Sequence, residues 1–394
     1  MGFLSGSTTF ERFQVIEDPT ATFGDAHLEL LQQFRIGAFK TNLYEQPNVG
    51  FTAGTHLFDT DFDHAKNILG DAMHFGVRID SCQIPGPIKK AWLQMELAPM
   101  LADKPGGRPT KVQRQEAKDA VDARCSDEAQ KGSFHRMSET SVLWDAVTET
   151  VFIGSTSEKV NDQCVDLLER AFGIQLAKVT TGKLCFQLAE SNGWEKALDH
   201  LQPTNFLPDF GPAEITWWNG EANNFDYLGN EFLLWLWWYW QNQSDTIVLS
   251  DGSEVSGMFA RTLSLDCPHG EYGKETISSD SPVMLPEAAM AVRMGKLPRK
   301  AGLTLVRDGE QYDLNLQAEM FSFGSARIRQ LGNDTEPQDQ LDRIESVRQL
   351  CETVDLLLAS FCEHRLNPEW TQESQKMTQW LKTNTPAKRR KTAA

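Results

Sequence analysis

The most constraining feature of this 394-residue chain is an uninterrupted apolar run of nine residues, FLLWLWWYW, from Phe232 to Trp240. A helix that crosses a membrane needs about 20 such residues, so this run is too short to span one. A helix that is apolar on all faces must be covered on all faces by the rest of the fold. The run therefore predicts a buried core helix rather than an exposed aromatic platform for stacking bases.

Turn signals and hydrophobic periodicity define the elements that follow or precede this helix. Asp251-Gly252 and Asp308-Gly309 each interrupt an apolar stretch, which is typical of β-hairpins. Apolar residues recur every three or four positions from Leu341 to Phe361 and predict a long amphipathic helix that stops at Asn367-Pro368. Lys183 to Leu188 is expected to form a strand.

The first half of the chain also mixes the two element types. A strand is expected from His74 to Ser81, a helix from about Ile88 to Leu101, and a polar helix capped by Thr110 that reaches roughly Arg124. Together the patterns predict an α+β fold class with small mixed sheets packed against helices. The predicted organisation is an α+β region over residues 1–200, a linker over 201–224, a C-terminal α+β region over 225–383 and a disordered basic tail over 384–394.

Charge is distributed unevenly along the chain. The whole protein carries a formal charge of -17, which excludes a uniformly basic nucleic-acid-binding surface. The segment from Lys89 to Arg136, however, contains ten basic and seven acidic residues, and the segment from Lys376 to the end contains six basic residues and no acidic one. A local basic surface on an acidic protein suits a polyanion such as DNA, whereas the alternative is a solvated helix face and a loose tail.

Sequence motifs for covalent chemistry are missing. The chain has no phosphate-binding glycine loop, no dinucleotide fingerprint, no serine-hydrolase elbow and no H-E-x-x-H zinc motif, so we expect no enzyme activity, no metal and no cofactor. Asp59, Asp61 and Asp63 begin like a calcium loop, but His64 and Gly70 occupy the positions of its required Gly and Glu. A metal-dependent exonuclease built on these three aspartates stays an alternative.

Phe134 stands out among the aromatic residues because its neighbours are polar and basic. It lies in the segment KGSFHR between Lys131 and Arg136. An apolar side chain in such a setting can stack on or wedge into a nucleic acid. It can equally cover a small satellite core, and the sequence leaves both interpretations open.

Several segments, taken in order, resemble the bacterial recombination-associated protein RdgC family. They are IPGPIKKA at residues 84–91, KDAV at 118–121, GSFHR at 132–136 and VLWD at 142–145. The likeness covers roughly residues 8 to 190 and extends through the LGNEFL segment at 228–233 and the last amphipathic helix, as in longer members of that family. No single motif is specific, and the order and spacing carry the resemblance.

The resemblance implies an elongated protomer that closes into a ring as a homodimer. Such a ring encircles double-stranded DNA without sequence preference, also binds single-stranded DNA, and limits access of the RecA recombinase. Phe134 and Arg136 match residues at the gate of the ring, and Lys89, Lys90, Lys111, Arg114 and Lys118 match elements that line its hole. We add Lys131 as a further phosphate contact because of its place beside Phe134.

The cysteines and the lack of targeting signals indicate where in the cell the protein acts. The seven cysteines are scattered and include no C-x-x-C pair, the N-terminus has no secretory pattern, and no segment is expected to enter a membrane. We therefore expect a cytoplasmic, nucleoid-associated protein with reduced thiols. A protein-interaction scaffold without DNA affinity, which would use the Leu341 to Phe361 helix and the basic tail, remains the other non-enzymatic hypothesis.

Overall fold

The computed structural model describes residues 2–16, 22–39, 42–101, 107–198, 201–207, 215–217, 224–270, 273–328 and 337–383. Its strands are β1 (Ser7–Val15), β2 (Asn48–Thr52), β3 (Ile68–Leu69), β4 (Ala72–Cys82), β5 (His135–Asp145), β6 (Thr150–Ile153), β7 (Leu176–Lys178), β8 (Thr246–Val248), β9 (Glu254–Asp266), β10 (Glu275–Ser279), β11 (Leu297–Arg307), β12 (Glu310–Gln317) and β13 (Phe323–Arg327). Its α-helices are α1 (Asp25–Gln33), α2 (His64–Asn67), α3 (Gly86–Met100), α4 (Lys111–Gln130), α5 (Glu158–Phe172), α6 (Thr181–Asn192), α7 (Glu195–Leu198), α8 (Leu228–Asn242), α9 (Pro286–Arg293), α10 (Pro337–Leu366) and α11 (Trp370–Thr383). The predicted α+β class is confirmed, but the strands form a large antiparallel sheet and not the small mixed sheets that the sequence predicts.

The described residues form two compact units that do not correspond to one cut along the chain. The core unit comprises those of residues 2–15, 150–156 and 176–383. The second unit comprises those of residues 16–149 and 157–175, and it is called the basic unit after the locally basic segment from Lys89 to Arg136 that it contains. The core unit thus takes strands from both ends of the sequence. Described parts of the expected linker, 201–207 and 215–217, belong to the core unit and bury Phe206 and Ile215. The basic tail lies outside the described residues.

An antiparallel sheet organises the core unit in the order β10-β9-β11-β12-β13-β1-β6, with β7 beside β1 and β8 beside β9. Both predicted hairpins are confirmed: β8 pairs with β9 across Asp251-Gly252, and β11 pairs with β12 across Asp308-Gly309. Gly252 and Gly309 adopt φ of 83° and 82°, a left-handed conformation that glycine reaches without steric cost.

The Trp-rich helix α8 is the centre of the core unit, as its all-round apolar pattern predicts. Each residue from Leu228 to Trp238 is buried, and α8 packs against β9 and β11. The long helix α10 covers another part of this core with α6 and α8, and buries its apolar stripe, including Val347, Val354 and Phe361, inside its own unit. That stripe is therefore not a free docking face for a partner.

The segment Lys183 to Leu188 is helical, so the predicted strand is wrong. Alternating Leu184, Phe186 and Leu188 imitate a strand, but α6 buries Cys185 and Ala189, which are one helical turn apart. The hydroxyl of Thr180 caps its first turn and Gly193 ends it in the left-handed conformation. These end signals and tertiary packing outweigh the short alternation.

The strands of the basic unit form an antiparallel arrangement in which β4 lies between β5 and β2, and β3 also pairs with β4. His74 of β4 is buried in it, and its Nε2 lies 2.9 Å from Ser141 Oγ. Burial lowers the pKa of His74 from 6.5 to about 4, because the charged imidazolium is poorly solvated there.

The low pKa of His74 predicts acid sensitivity. In the unfolded chain His74 binds a proton near pH 6.5, whereas in the folded protein it stays neutral down to about pH 4. The contribution of neutral His74 to the free energy of unfolding is therefore complete above pH 6.5 and is lost as the pH falls towards 4, by about 3 kcal/mol in total. Chemical denaturation at pH 7 and pH 5 should show this loss for the parent protein and a much smaller one for His74→Gln. His64→Gln, at an exposed histidine, is the control and should behave like the parent.

Candidate nucleic-acid interface

Helices α3 and α4 of the basic unit pack against each other and carry five of the eight predicted DNA-binding residues. Pro87 occupies the first turn of α3, where its missing N–H costs nothing. Thr110 and Gln113 form a capping box at the start of α4: Thr110 Oγ1 accepts from the Gln113 N–H at 3.3 Å, and Gln113 Oε1 accepts from the Thr110 N–H at 3.0 Å. The sequence therefore fixes where both helices begin.

Helix α4 buries only a narrow stripe of small residues. Ala117, Val121, Cys125 and Ala129 follow one another at four-residue spacing and are its only buried residues. Ile84, Val121 and Cys125 form a small cluster, and Trp92 and Phe134 pack against it. Most of the surface of α4 is therefore left to carry polar and charged side chains.

Three predicted cations share one side of the first turns of α4. Lys111, Arg114 and Lys118 stand at positions i, i+3 and i+7, which a helix places on one face, and all three are exposed. Lys90 on α3 and Arg136 on β5 are exposed as well. Within the described residues, none of these five side chains forms an ion pair, so their charges are available to an external anion.

Lys89 and Lys131 are engaged by neighbouring side chains. Lys89 Nζ lies 4.9 Å from the ring centre of Tyr44 and 3.4 Å from its hydroxyl. Lys131 Nζ lies 2.6 Å from Asp127 Oδ2 and 3.5 Å from Glu128 Oε1. The hydrogen bond that Lys131 donates to Asp127 raises the pKa of Lys131, so the lysine stays protonated while the carboxylate partly offsets its charge. These two residues are weaker candidates for phosphate contacts than the five unpaired cations.

Phe134 is half-buried against the cluster beneath α3 and α4. Its ring centre lies 6.4 Å from that of Trp92, and its carbonyl accepts a hydrogen bond from the Gln83 N–H at 3.1 Å. Its φ of 59° is left-handed, which costs a non-glycine residue about 1 kcal/mol. The structure thus gives Phe134 a packing contact in the basic unit, and its role as a wedge or gate stays a prediction.

Residues that sequence analysis did not select hold this surface in place. The Arg124 guanidinium lies 4.6 Å from the ring centre of Trp92, a cation–π contact that links α4 to α3. The Tyr44 hydroxyl donates to Asp122 Oδ1 at 2.8 Å, and burial together with this bond raises the pKa of Tyr44. Helical spacing of Trp92 from Ile88 is the one signal in the sequence that could have marked this packing.

Of the three aspartates of the nuclease alternative, Asp59 and Asp63 use their side chains for hydrogen bonds within their own loop, and Asp61 contributes backbone groups. Asp59 accepts two hydrogen bonds from Lys66 Nζ, at 3.0 and 3.2 Å, and one from the Asp61 N–H at 3.1 Å. Asp63 caps α2 by accepting from the Lys66 N–H at 2.9 Å. Within the described residues, no group of three His, Cys, Asp or Glu side chains is arranged to hold a metal ion.

Comparisons with models of known protein families and with characterised proteins return no match. Among the described residues, no helix combines the length and hydrophobicity that crossing a bilayer requires.

Proposed function

We propose that this protein binds duplex DNA without sequence preference through the exposed cations of α3, α4 and β5. The observation that carries the proposal is the face of α4 formed by Lys111, Arg114 and Lys118, which is exposed and has no ion-pair partner within the described residues. Elsewhere the protein is strongly acidic, so this face is a local place where a polyanion is attracted while the rest of the surface repels it.

Backbone recognition is the mode of binding that these residues support. Lysine and arginine on a helix surface contact phosphates, which fix the position of a protein on DNA but contribute no sequence information. Each phosphate contact releases counterions and adds about 0.9 to the slope of log affinity against log salt concentration. The proposed interface therefore predicts steep salt dependence and equal affinity for unrelated sequences.

The resemblance to the RdgC family supports the remaining parts of the proposal. On that basis the protein acts in the nucleoid as a ring-shaped homodimer, which encloses DNA and restrains recombinase loading. Duplex preference then comes from the size of the enclosure rather than from contacts to bases. Phe134 and Arg136 would lie near the point where the ring closes.

Binding to linear duplex, closed circular duplex and single-stranded DNA tests the proposal. Anisotropy over a salt series, with and without magnesium, is expected to show sequence-independent, salt-steep binding that prefers duplex and leaves the DNA intact. Complexes on circles should survive a high-salt wash that removes the protein from linear DNA. Absence of binding at low salt would contradict DNA binding itself, whereas equal loss from circles and linear DNA would contradict encirclement alone.

Deletion of residues 384–394 separates the folded interface from the basic tail. The truncated protein is expected to retain most of its duplex affinity, because the cations of α3 and α4 remain. Complete loss of binding in this variant would assign the contact to the tail and favour the scaffold hypothesis for the folded units.

A further inference from the structure

Two cysteines of the core unit, far apart in the sequence, meet in its interior. Cys185 on α6 and Cys362 on α10 are separated by 177 residues, and their sulfur atoms lie 3.1 Å apart. Both side chains are buried, and all seven cysteines of the protein are free thiols. This distance is shorter than an ordinary contact between two sulfur atoms and needs to shrink by only about 1 Å to reach a disulfide bond length.

We propose that Cys185 and Cys362 are a redox site, at which a mild oxidant of the peroxide class forms a reversible disulfide between α6 and α10. The helices already pack against each other, so the bond requires a small side-chain adjustment rather than a rearrangement of the backbone. The inference rests on the core unit alone and is independent of DNA binding.

The reduced pair is stable under ordinary conditions because burial protects it. Burial raises the pKa of Cys185 well above its usual value, and the hydrogen bond between Cys185 and Cys362 adds to the effect. The thiolate is the reactive form, so the buried thiols react slowly at neutral pH. Oxidation therefore proceeds through brief local opening that admits a small oxidant.

Hydrogen peroxide supplies a balanced route to the bond. One thiol loses its proton and its sulfur attacks a peroxide oxygen, the O–O bond breaks, and sulfenic acid and water form. The second sulfur then attacks the sulfenic sulfur, the S–O bond breaks, and the departing hydroxide leaves as water with the second thiol proton. The two thiols together lose two electrons and two protons, and one peroxide is reduced to two waters.

Peroxide treatment of the full-length native protein tests the inference. We expect the intact mass to fall by about 2 Da, two of the seven thiols to stop reacting with maleimide after denaturation, and dithiothreitol to reverse both changes. A peptide map should show residues 185 and 362 cross-linked. The oxidised protein should also melt about 5 °C or more above the reduced one, because the bond closes a long loop in the unfolded chain.

Serine variants assign the bond to this pair. Cys185→Ser and Cys362→Ser should each abolish the mass loss, whereas Cys267→Ser, at a buried cysteine of the same unit, should keep it. The peptide map of the parent protein decides the matter even if a serine variant does not fold. A cross-link between other cysteines, oxygen addition without a cross-link, or seven reactive thiols after treatment would each overturn the proposal.

Discussion

Replacing Lys111 and Arg114 together by alanine is expected to weaken duplex binding about 10- to 100-fold near 0.1 M salt and to lower the salt slope by about 2. The two side chains lie one turn apart on the exposed face of α4, and neither has an ion-pair partner among the described residues. Their loss removes two phosphate contacts while the buried stripe of the helix stays intact. Affinity should fall equally for all sequences, as anisotropy on several unrelated duplexes would show.

A matched pair of cations on α5 of the same unit provides the control. Lys159 and Arg170 are exposed. Arg170 forms a surface ion pair with Asp166 and also donates to its carbonyl at 3.2 Å, and a surface ion pair of this kind contributes about 0 to 1 kcal/mol. Their double alanine variant changes the net charge by the same amount. If it weakened binding as much as the α4 variant, the effect would come from overall charge and not from a defined interface.

Replacing Arg365 by methionine is expected to destabilise the core unit by about 3 to 5 kcal/mol. Arg365 Nε donates to Glu231 Oε2 at 2.6 Å, and both side chains are buried. Glu231 Oε1 and Oε2 also accept from the N–H and hydroxyl of Thr204 at 2.6 and 3.0 Å. Loss of the guanidinium leaves a buried carboxylate without its cation, and this uncompensated charge is the main cost.

Urea denaturation measures this cost, and two further variants show where it comes from. Arg170→Met removes an exposed arginine and should change the free energy of unfolding by less than about 1 kcal/mol. Replacing Glu231 by leucine in the Arg365→Met background removes the orphaned charge and should recover part of the loss. A loss in Arg365→Met as small as that in Arg170→Met would mean that Glu231 is adequately solvated without its partner.

Features that depend on neighbouring residues were the most predictable from the sequence. Both Asp-Gly hairpins, the N-cap at Thr110 and the buried state of α8 follow from turn chemistry, end signals and all-round hydrophobicity, and each is present in the structure. Such features are set within a few residues, so the sequence alone is sufficient to specify them. The misassigned α6 shows the limit, since three alternating apolar residues match a short strand as well as a helix.

The candidate interface was predictable only in part. The concentration of basic residues between Lys89 and Arg136 is visible in the sequence, but the sequence does not show which of them are engaged by neighbouring side chains. Lys131 forms an ion pair with Asp127 and Lys89 contacts the ring of Tyr44, whereas Lys111, Arg114 and Lys118 have no such partner among the described residues. Burial of Phe134 against Trp92 likewise depends on how two helices pack.

The sequence by itself determined the α+β class, the core helix and the local basic segment, because periodicity, turn residues and charge act over short distances along the chain. Tertiary structure alone decided that β1 pairs with β13, that Glu231 meets Arg365 across 134 residues, and that Cys185 meets Cys362. These contacts depend on how the elements pack to exclude water from one shared interior. The residues that meet there are far apart in the sequence, and the sequence around each one does not indicate which residue it will contact.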